Sequence, residues 1–370
     1  MIPLNQSRGV RFRFTLEEFS GAFGDSITVI PLIVGIALVS EANLGLMLLF
    51  FGIFQIATGL YYRLPMPVEP MKALAALVIA GALTYGDILF AGFILGLVFL
   101  TIGFLGFMKR LNKAVPTSVV RGIQMGLALI FLRSAFDYSR DIPWLAVLGI
   151  SVVLVFLILN KRWNVPNISA LLVIGIGIVY GLYVHGTPEI GLLSTPSFGI
   201  PIPDSFMDSL IQGSLPQFFL TAGNSILATS LLFSDLLKQD VDPDDLSRSV
   251  GAMNVISPLF GGIPMCHGSG GLAGQYRFGA RTGGSNLILG SVYIALALIS
   301  GSPDTLAFFP VAILGALLVF IAFELGLAGS KTDVWSVTLV TAIVSLLTNI
   351  GMGFLVGFIW YKVWDAYRRR

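Results

Sequence analysis

The sequence predicts an all-α polytopic membrane protein folded as two inverted repeats, and three observations carry that prediction. The 370-residue chain is 55% hydrophobic and 11% charged, where a soluble domain carries about 25% charge. Gly24-Asp25-Ser26-Ile27 recurs as Gly223-Asn224-Ser225-Ile226, and Pro65-Met66 recurs as Pro264-Met265, both at an offset of 199 residues. In each copy a Pro- and Gly-broken segment follows the second motif. Duplicated halves with broken helices are a common plan for membrane transporters, with the substrate at the repeat interface.

A spanning helix needs about 20 mostly apolar residues. The first half offers such runs at 18–39, 44–62, 88–108, 115–133, 142–160 and 168–185. The second offers 212–234, 246–262, 285–301, 305–326, 333–347 and 349–366. Residues 64–84 and 263–281 are too broken to be ordinary spans. Counting them gives seven elements per half and fourteen in all, with repeats at 1–190 and 191–370. Forty-two glycines suit the close helix packing of membranes. The opening residues are polar and basic and no small-residue cleavage site follows, so no cleavable signal is expected.

Seven is odd, which makes the halves inverted. Basic residues concentrate in cytoplasmic loops, and they test this. With both termini inside, 18 of the 22 Lys and Arg residues fall on the inner side. These are Arg8, Arg11, Arg13, Arg63, Lys109, Arg110, Lys113, Lys161, Arg162, Lys238, Arg248, Arg277, Arg281, Lys331, Lys362 and Arg368 to Arg370. Arg133 and Arg140 fall outside, and Lys72 and Arg121 lie within membrane segments. A net charge of +2, with no basic patch, argues against nucleic acid, and a single cysteine, Cys266, excludes an intrachain disulfide.

Pro65, Pro67 and Pro70 lack amide donors and bias the residues before them toward extended backbone. Residues 64–68 are therefore expected to be strand-like, with a half-helix beginning near Pro70. Residues 261–266 should likewise be extended, with a half-helix from 267–270. Irregular backbone survives at membrane depth only inside protein or beside a cavity. Two half-helix N-termini aimed at the midplane would favour an anion.

Gly261-Gly262-Ile263-Pro264 followed by Gly279-Ala280-Arg281-Thr282 resembles the Gly-Gly-x-Pro … Gly-x-Arg-Thr pattern of the sulfate permease (SulP) superfamily. The run from Pro264-Met265-Cys266-His267-Gly268-Ser269-Gly270-Gly271 to Gly279-Ala280-Arg281 is similar to the signature of its molybdate transporter branch, as is Phe23-Gly24-Asp25-Ser26 … Pro31. The resemblance covers essentially the whole chain. It implies the fourteen-segment inverted-repeat fold shared with uracil permeases. A core domain (about 18–108 and 212–301) would move against a gate domain (about 115–185 and 305–366). Two departures stand out: no soluble STAS domain follows the last span, and the Arg common in the family's tenth helix falls on Gly271. Lys72 stands 199 residues before Gly271, so the cation is read as having moved to the other half-helix.

Lys72 leads the candidate site, since an ionisable side chain within a membrane segment is costly and usually functional. The plain alternatives are snorkelling or pairing with Glu69 alone. Glu69 and Asp25 are read as proton-coupling acids, because leaving water disfavours a charged carboxylate; a structural counterion role is the alternative. Cys266, His267, Gly268, Ser269 and Gly270 stand where the second half-helix begins, offering an imidazole, a hydroxyl and open amides to an oxyanion. Tight packing is the other reading of the glycines. One Cys and one His do not make a zinc site, and no acid orients His267 for nucleophilic catalysis. Ser26, Thr28, Asn224 and Ser225 on the first and eighth segments complete the binding set, although Ser and Thr in helices often bond only their own backbone. Glu324 is left outside the site.

The sequence thus reads as a secondary transporter, not an enzyme, importing a tetrahedral oxyanion, molybdate ahead of sulfate. Proton symport and an elevator-like motion are expected, with an uncoupled anion channel of the same fold as the alternative. Its partners are the oxyanion and the bilayer of the plasma membrane, with a homodimer left open; no cofactor, metal or nucleic acid is expected.

Overall fold

The computed structural model describes residues 11–111, 116–163, 168–187, 190–193 and 195–368. Arg8, Lys113, Arg369 and Arg370 lie outside the described residues. The first expected span is broken: α1 (Leu16–Ala22) ends at Phe23, and α2 (Ser26–Val39) starts after Asp25. The cause is a backbone crossing. A Cβ on Gly24 would lie 2.6 Å from the Gly274 carbonyl oxygen, and one on Gly274 would lie 2.7 Å from that of Gly24. Only glycine at both positions permits that approach.

α3 (Leu44–Tyr62) is capped by Asn43, whose side chain accepts from Leu46 N at 3.0 Å. Then come β1 (Glu69–Pro70), α4 (Lys72–Ile79), α5 (Tyr85–Leu105) with a Thr84/Asp87 capping box, and a short α6 (Met108–Leu111). α7 (Thr117–Tyr138), α8 (Pro143–Trp163) and α9 (Ser169–His185) close the first half. The eighth span is longer than expected. α10 (Phe206–Asp208), α11 (Leu215–Leu220) and α12 (Ala228–Leu237) run together as one 32-residue helix. Two π-turns, Ser209–Ser214 and Thr221–Leu227, join them. Pro216 follows the first: widening the turn relieves the clash a proline makes with the carbonyl four residues back.

α13 (Pro243–Ile256) stops short of 262 and passes through a 3₁₀ turn, Ser257–Phe260, because Pro258 and Gly261 (φ 78°) cannot continue it. β2 (Met265–Cys266), α14 (Ser269–Arg277) and α15 (Gly284–Ile299) follow. α16 (Val311–Gly329), α17 (Trp335–Leu347) and α18 (Ile350–Arg368) end the chain. Five described helices are long and apolar enough to cross a membrane. Large apolar side chains such as Phe104, Phe136, Trp144 and Leu347 point outward, which suits lipid and not water.

The two broken segments meet. β1 and β2 pair antiparallel with Glu69 opposite Cys266 and Pro70 opposite Met265, and Met71 N continues the ladder to the Pro264 carbonyl at 3.0 Å. Two asparagines satisfy the flanking extended backbone. Asn286 bonds both the N–H (2.9 Å) and the carbonyl (2.5 Å) of Met66. Asn254 does the same for Met265, at 2.9 and 2.5 Å. A buried backbone pair left unbonded is expensive in an apolar interior, so these amides are what let the chain stay extended there. Around this centre α7 packs on α16 and α17, α5 on α13, and α3 on α15.

Candidate functional site: a shared carboxylate between two half-helices

α4 and α14 start on either side of the β1–β2 ladder. Lys72 is the first residue of α4 rather than the third, so its side chain leaves from the helix mouth. Glu69 joins the two half-helices. Its Oε2 lies 2.6 Å from Lys72 Nζ, and its Oε1 accepts the Gly271 N–H of α14's first turn at 3.0 Å. Glu69 is 1% exposed and Lys72 24%. A Cβ at Gly268 or Gly271 would fall 2.0 or 2.3 Å from Glu69 Oε1. The glycines thus form the cradle in which the carboxylate rests.

Asp25, at the break in the first span, comes to the same place. The Gly271 Cβ position is 2.6 Å from Asp25 Cγ. Asp25 Oδ1 accepts from Thr28 Oγ1 at 3.1 Å, while Oδ2 is buried without a hydrogen-bond partner among the described residues. Two acids and one base therefore converge on the start of α14.

Beside them lies a cavity of about 20 Å³, room for one water. Glu69, Lys72, Cys266, Asn224 and Ser225 form one wall with Gln217 and Leu220; Gln124 and Leu127 of α7 and Leu325 of α16 form the other. Ser269 Oγ donates to Asn224 Oδ1 at 3.1 Å, tying α14 to the second π-turn.

Not every expected residue faces this space. Ser26 Oγ bonds Tyr293 OH of α15 at 3.3 Å, tying α2 to that helix, and Thr28 Oγ1 also donates to the Asp25 carbonyl at 3.0 Å, within its own helix region. Gly270 is exposed with open space where a Cβ would stand. His267 needs correction as a ligand for an anion. It is fully buried, with Nδ1 2.8 Å from the Pro67 carbonyl and Nε2 2.9 Å from Ser249 Oγ. A carbonyl only accepts, so Nδ1 carries the proton and Nε2 accepts from Ser249. His267 pins the extended 65–68 stretch and has no ring nitrogen left for substrate.

Sequence reasoning missed two glutamines. Gln217 Oε1 accepts the Ala73 N–H at 2.9 Å and its Nε2 donates to Thr221 Oγ1 at 2.8 Å, so it satisfies the first turn of α4. Gln124 Oε1 accepts from Arg121 at 3.0 Å, which turns its amide N–H groups to the cavity. The signal was present: Arg121 and Gln124 sit three residues apart inside an apolar run, hence on one helix face.

The family model described as "Molybdate transporter of MFS superfamily" matches residues 17–131 and 209–325. The chain belongs to this molybdate transporter family. It is 34% identical over 407 residues to "Molybdate transporter 1" of Arabidopsis thaliana, a match covering 95% of this chain and 89% of that protein. In fold it is similar to the transmembrane domain of a cyanobacterium bicarbonate transporter, BicA, with a TM-score of 0.66 at 15% identity, covering 93% of this chain and 99% of that one. It is also similar to murine Slc26a9, an anion transporter in the inward-facing state, with a TM-score of 0.71 at 15% identity, covering 99% and 70%. These likenesses give the molecule a SulP-like membrane fold. The family and its relatives are transporters, so the chain is an integral membrane anion transporter and not an enzyme.

Proposed function

We propose that this protein imports a tetrahedral oxyanion, molybdate ahead of sulfate, by proton symport. One observation carries the reading: Glu69 occupies, with its own carboxylate, the donors an oxyanion would use. Lys72 Nζ and the Gly271 amide are held by the two oxygens of one side chain. A substrate dianion brought to that place competes with ionised Glu69. Protonating Glu69 gives up its claim on Lys72 and relieves the repulsion, so anion and proton enter together. Asp25 is the second acid available to take part.

The anion then lies against Lys72 and the Gly268–Gly271 amides, with Ser225, Asn224 and Gln124 as neutral donors, Ser269 orienting the Asn224 amide through its own O–H, and Cys266 in the wall. A cavity of about 20 Å³ does not admit a four-oxygen anion, so loading needs the α7 and α16 wall to separate from the half-helices. That motion is the displacement of core (about 18–108 and 212–301) against gate (about 115–185 and 305–366) in a fourteen-segment, seven-plus-seven inverted repeat. The bias of basic residues supports both termini lying in the cytoplasm, with the protein in the plasma membrane.

Calorimetric titration of the purified protein with molybdate, tungstate, sulfate and bicarbonate tests the substrate. Molybdate and tungstate are expected to bind together and bicarbonate not at all; sulfate binding above molybdate would reassign the substrate. In proteoliposomes an inward proton gradient should drive molybdate above its equilibrium distribution. Uptake that merely equilibrates, whatever the gradient, would make the protein a channel.

A further inference from the structure

A second, larger cavity of about 250 Å³ lies further along the same helices. α7 contributes Gln124 to the central cavity and Arg133 to this one, nine residues on, or about 14 Å along the axis. α4 likewise begins at Lys72 in the first and ends beside the second, where Leu77 forms part of the wall. Leu127 on the inner side and Ile130 on the outer, one turn apart, leave an apolar layer between the two spaces.

The chemistry of this cavity is that of an anion receptor. Arg133 is its one lining cation, and it has no ion-pair or hydrogen-bond partner among the described residues. The lining acid, Asp137, is engaged by Arg140 at 3.5 Å instead. Ser134 also faces the space, is only 7% exposed, and has no hydrogen-bond partner among the described residues. Its hydroxyl opens onto the cavity and is free to donate to whatever enters it. Asn349 forms the opposite wall at the start of α18; its Oδ1 accepts from Met352 N at 2.9 Å, which leaves its amide N–H groups for the cavity. A guanidinium suits the paired oxygens of an oxyanion, and the first turn of the 19-residue α18 adds its dipole.

We propose that this cavity is an entry site that captures the oxyanion at Arg133, Ser134 and Asn349 before it passes to Lys72. The proposal rests on the transport reading above and on Arg133 facing the outside. Because the charge is water-accessible, its effect falls on capture and is screened by salt.

The test is molybdate uptake into proteoliposomes by wild type, Arg133→Lys and Arg133→Gln at low and high concentrations of an inert salt. Arg133→Gln should raise KM on the order of tenfold at low salt, with kcat unchanged. High salt should close that gap, and Arg133→Lys, which keeps the charge but not the paired donors, should raise KM less than Arg133→Gln does. An unchanged KM, or a fall in kcat alone, overturns the proposal. A second measurement places a thiol with Ser134→Cys and follows its labelling from outside by an anionic thiosulfonate, over the wild-type background. Molybdate should slow that labelling even in a Lys72→Ala chain whose central site is disabled. Absence of protection there refutes a separate entry site. Normal transport by Lys72→Ala would instead refute the central site while leaving the labelling result to stand by itself.

Discussion

Glu69→Gln is the perturbation that separates a coupling acid from a structural one. In the structure the Glu69 carboxylate sits 2.6 Å from Lys72 Nζ and 3.0 Å from the Gly271 amide, so substrate and ionised Glu69 want the same donors. If the anion displaces the charged carboxylate from those donors, a lower pH is expected to favour binding. Where the free protein keeps Glu69 charged and the complex keeps it neutral, one proton is taken up per anion. The affinity should then rise about tenfold for each unit the pH falls, which is roughly 1.4 kcal/mol. Glutamine can still accept from Gly271 but has no charge to compete for Lys72, so its affinity should be flat with pH. At alkaline pH it should exceed wild type, since a charge-assisted contact of about 1.5–3 kcal/mol no longer opposes the substrate. Calorimetry in two buffers of different ionisation heat counts the protons directly. Uptake driven by a proton gradient should be lost in the same variant. Wild-type binding without proton uptake, or an unaltered pH slope in Glu69→Gln, would refute the reasoning; full proton-driven uptake by the variant would pass the role to Asp25.

Lys72→Ala should weaken molybdate binding by about 1.5–3 kcal/mol, read by titration of the folded variant. Cys266 is 4% exposed in the closed cavity, so a small polar thiol reagent should reach it only as the wall opens; saturating molybdate should protect it, and rapid labelling indifferent to molybdate would move the anion elsewhere. Asn286→Ala orphans both backbone groups of Met66 and should lower stability by about 1–3 kcal/mol per buried group left unpaired, seen as a reduced Tm, whereas an unchanged Tm would show that other groups satisfy that strand. Gly271→Arg should not restore binding to Lys72→Ala, because the space is already filled by Glu69 and Asp25; recovered affinity in that double variant would mean the carboxylates stand elsewhere.

The parts of this site legible in the sequence were those governed by local chemistry. Pro65, Pro67 and Pro70 forbid a continuous helix wherever they lie, and the half-helix after them, with Lys72 three residues from Glu69, follows from that. The 199-residue offset paired Lys72 with Gly271 before any geometry, and the structure sets both on the same carboxylate. What stayed hidden depends on tertiary neighbours. The break at Gly24 exists because Gly274 lies against it, and nothing local to Gly24 says so. His267 looked free because its partners, Pro67 and Ser249, come from other elements. The π-turns that set Asn224 and Ser225 toward the cavity add no residue type that marks them, and Pro216 is the one local hint.

The charges of the site argue for coupling independently of any single residue's role. Asp25, Glu69 and Lys72 together carry one net negative charge when all are ionised, and a dianion added to them would meet more repulsion than attraction. Moving the cation to an Arg at residue 271 would not help while the carboxylates remain, since the Cβ position there already lies 2.3 Å from Glu69 Oε1 and 2.6 Å from Asp25 Cγ. A cation on α4 avoids that crowding, because Lys72 Nζ takes Glu69 Oε2 while the α14 amide takes Oε1. The arrangement therefore holds the cation and the amides ready but keeps them quenched by an acid of the protein itself. On the symport reading proposed above, protonation of that acid is what would turn the place into an anion site, and the same carboxylate that occupies the donors would tie their filling to the proton gradient.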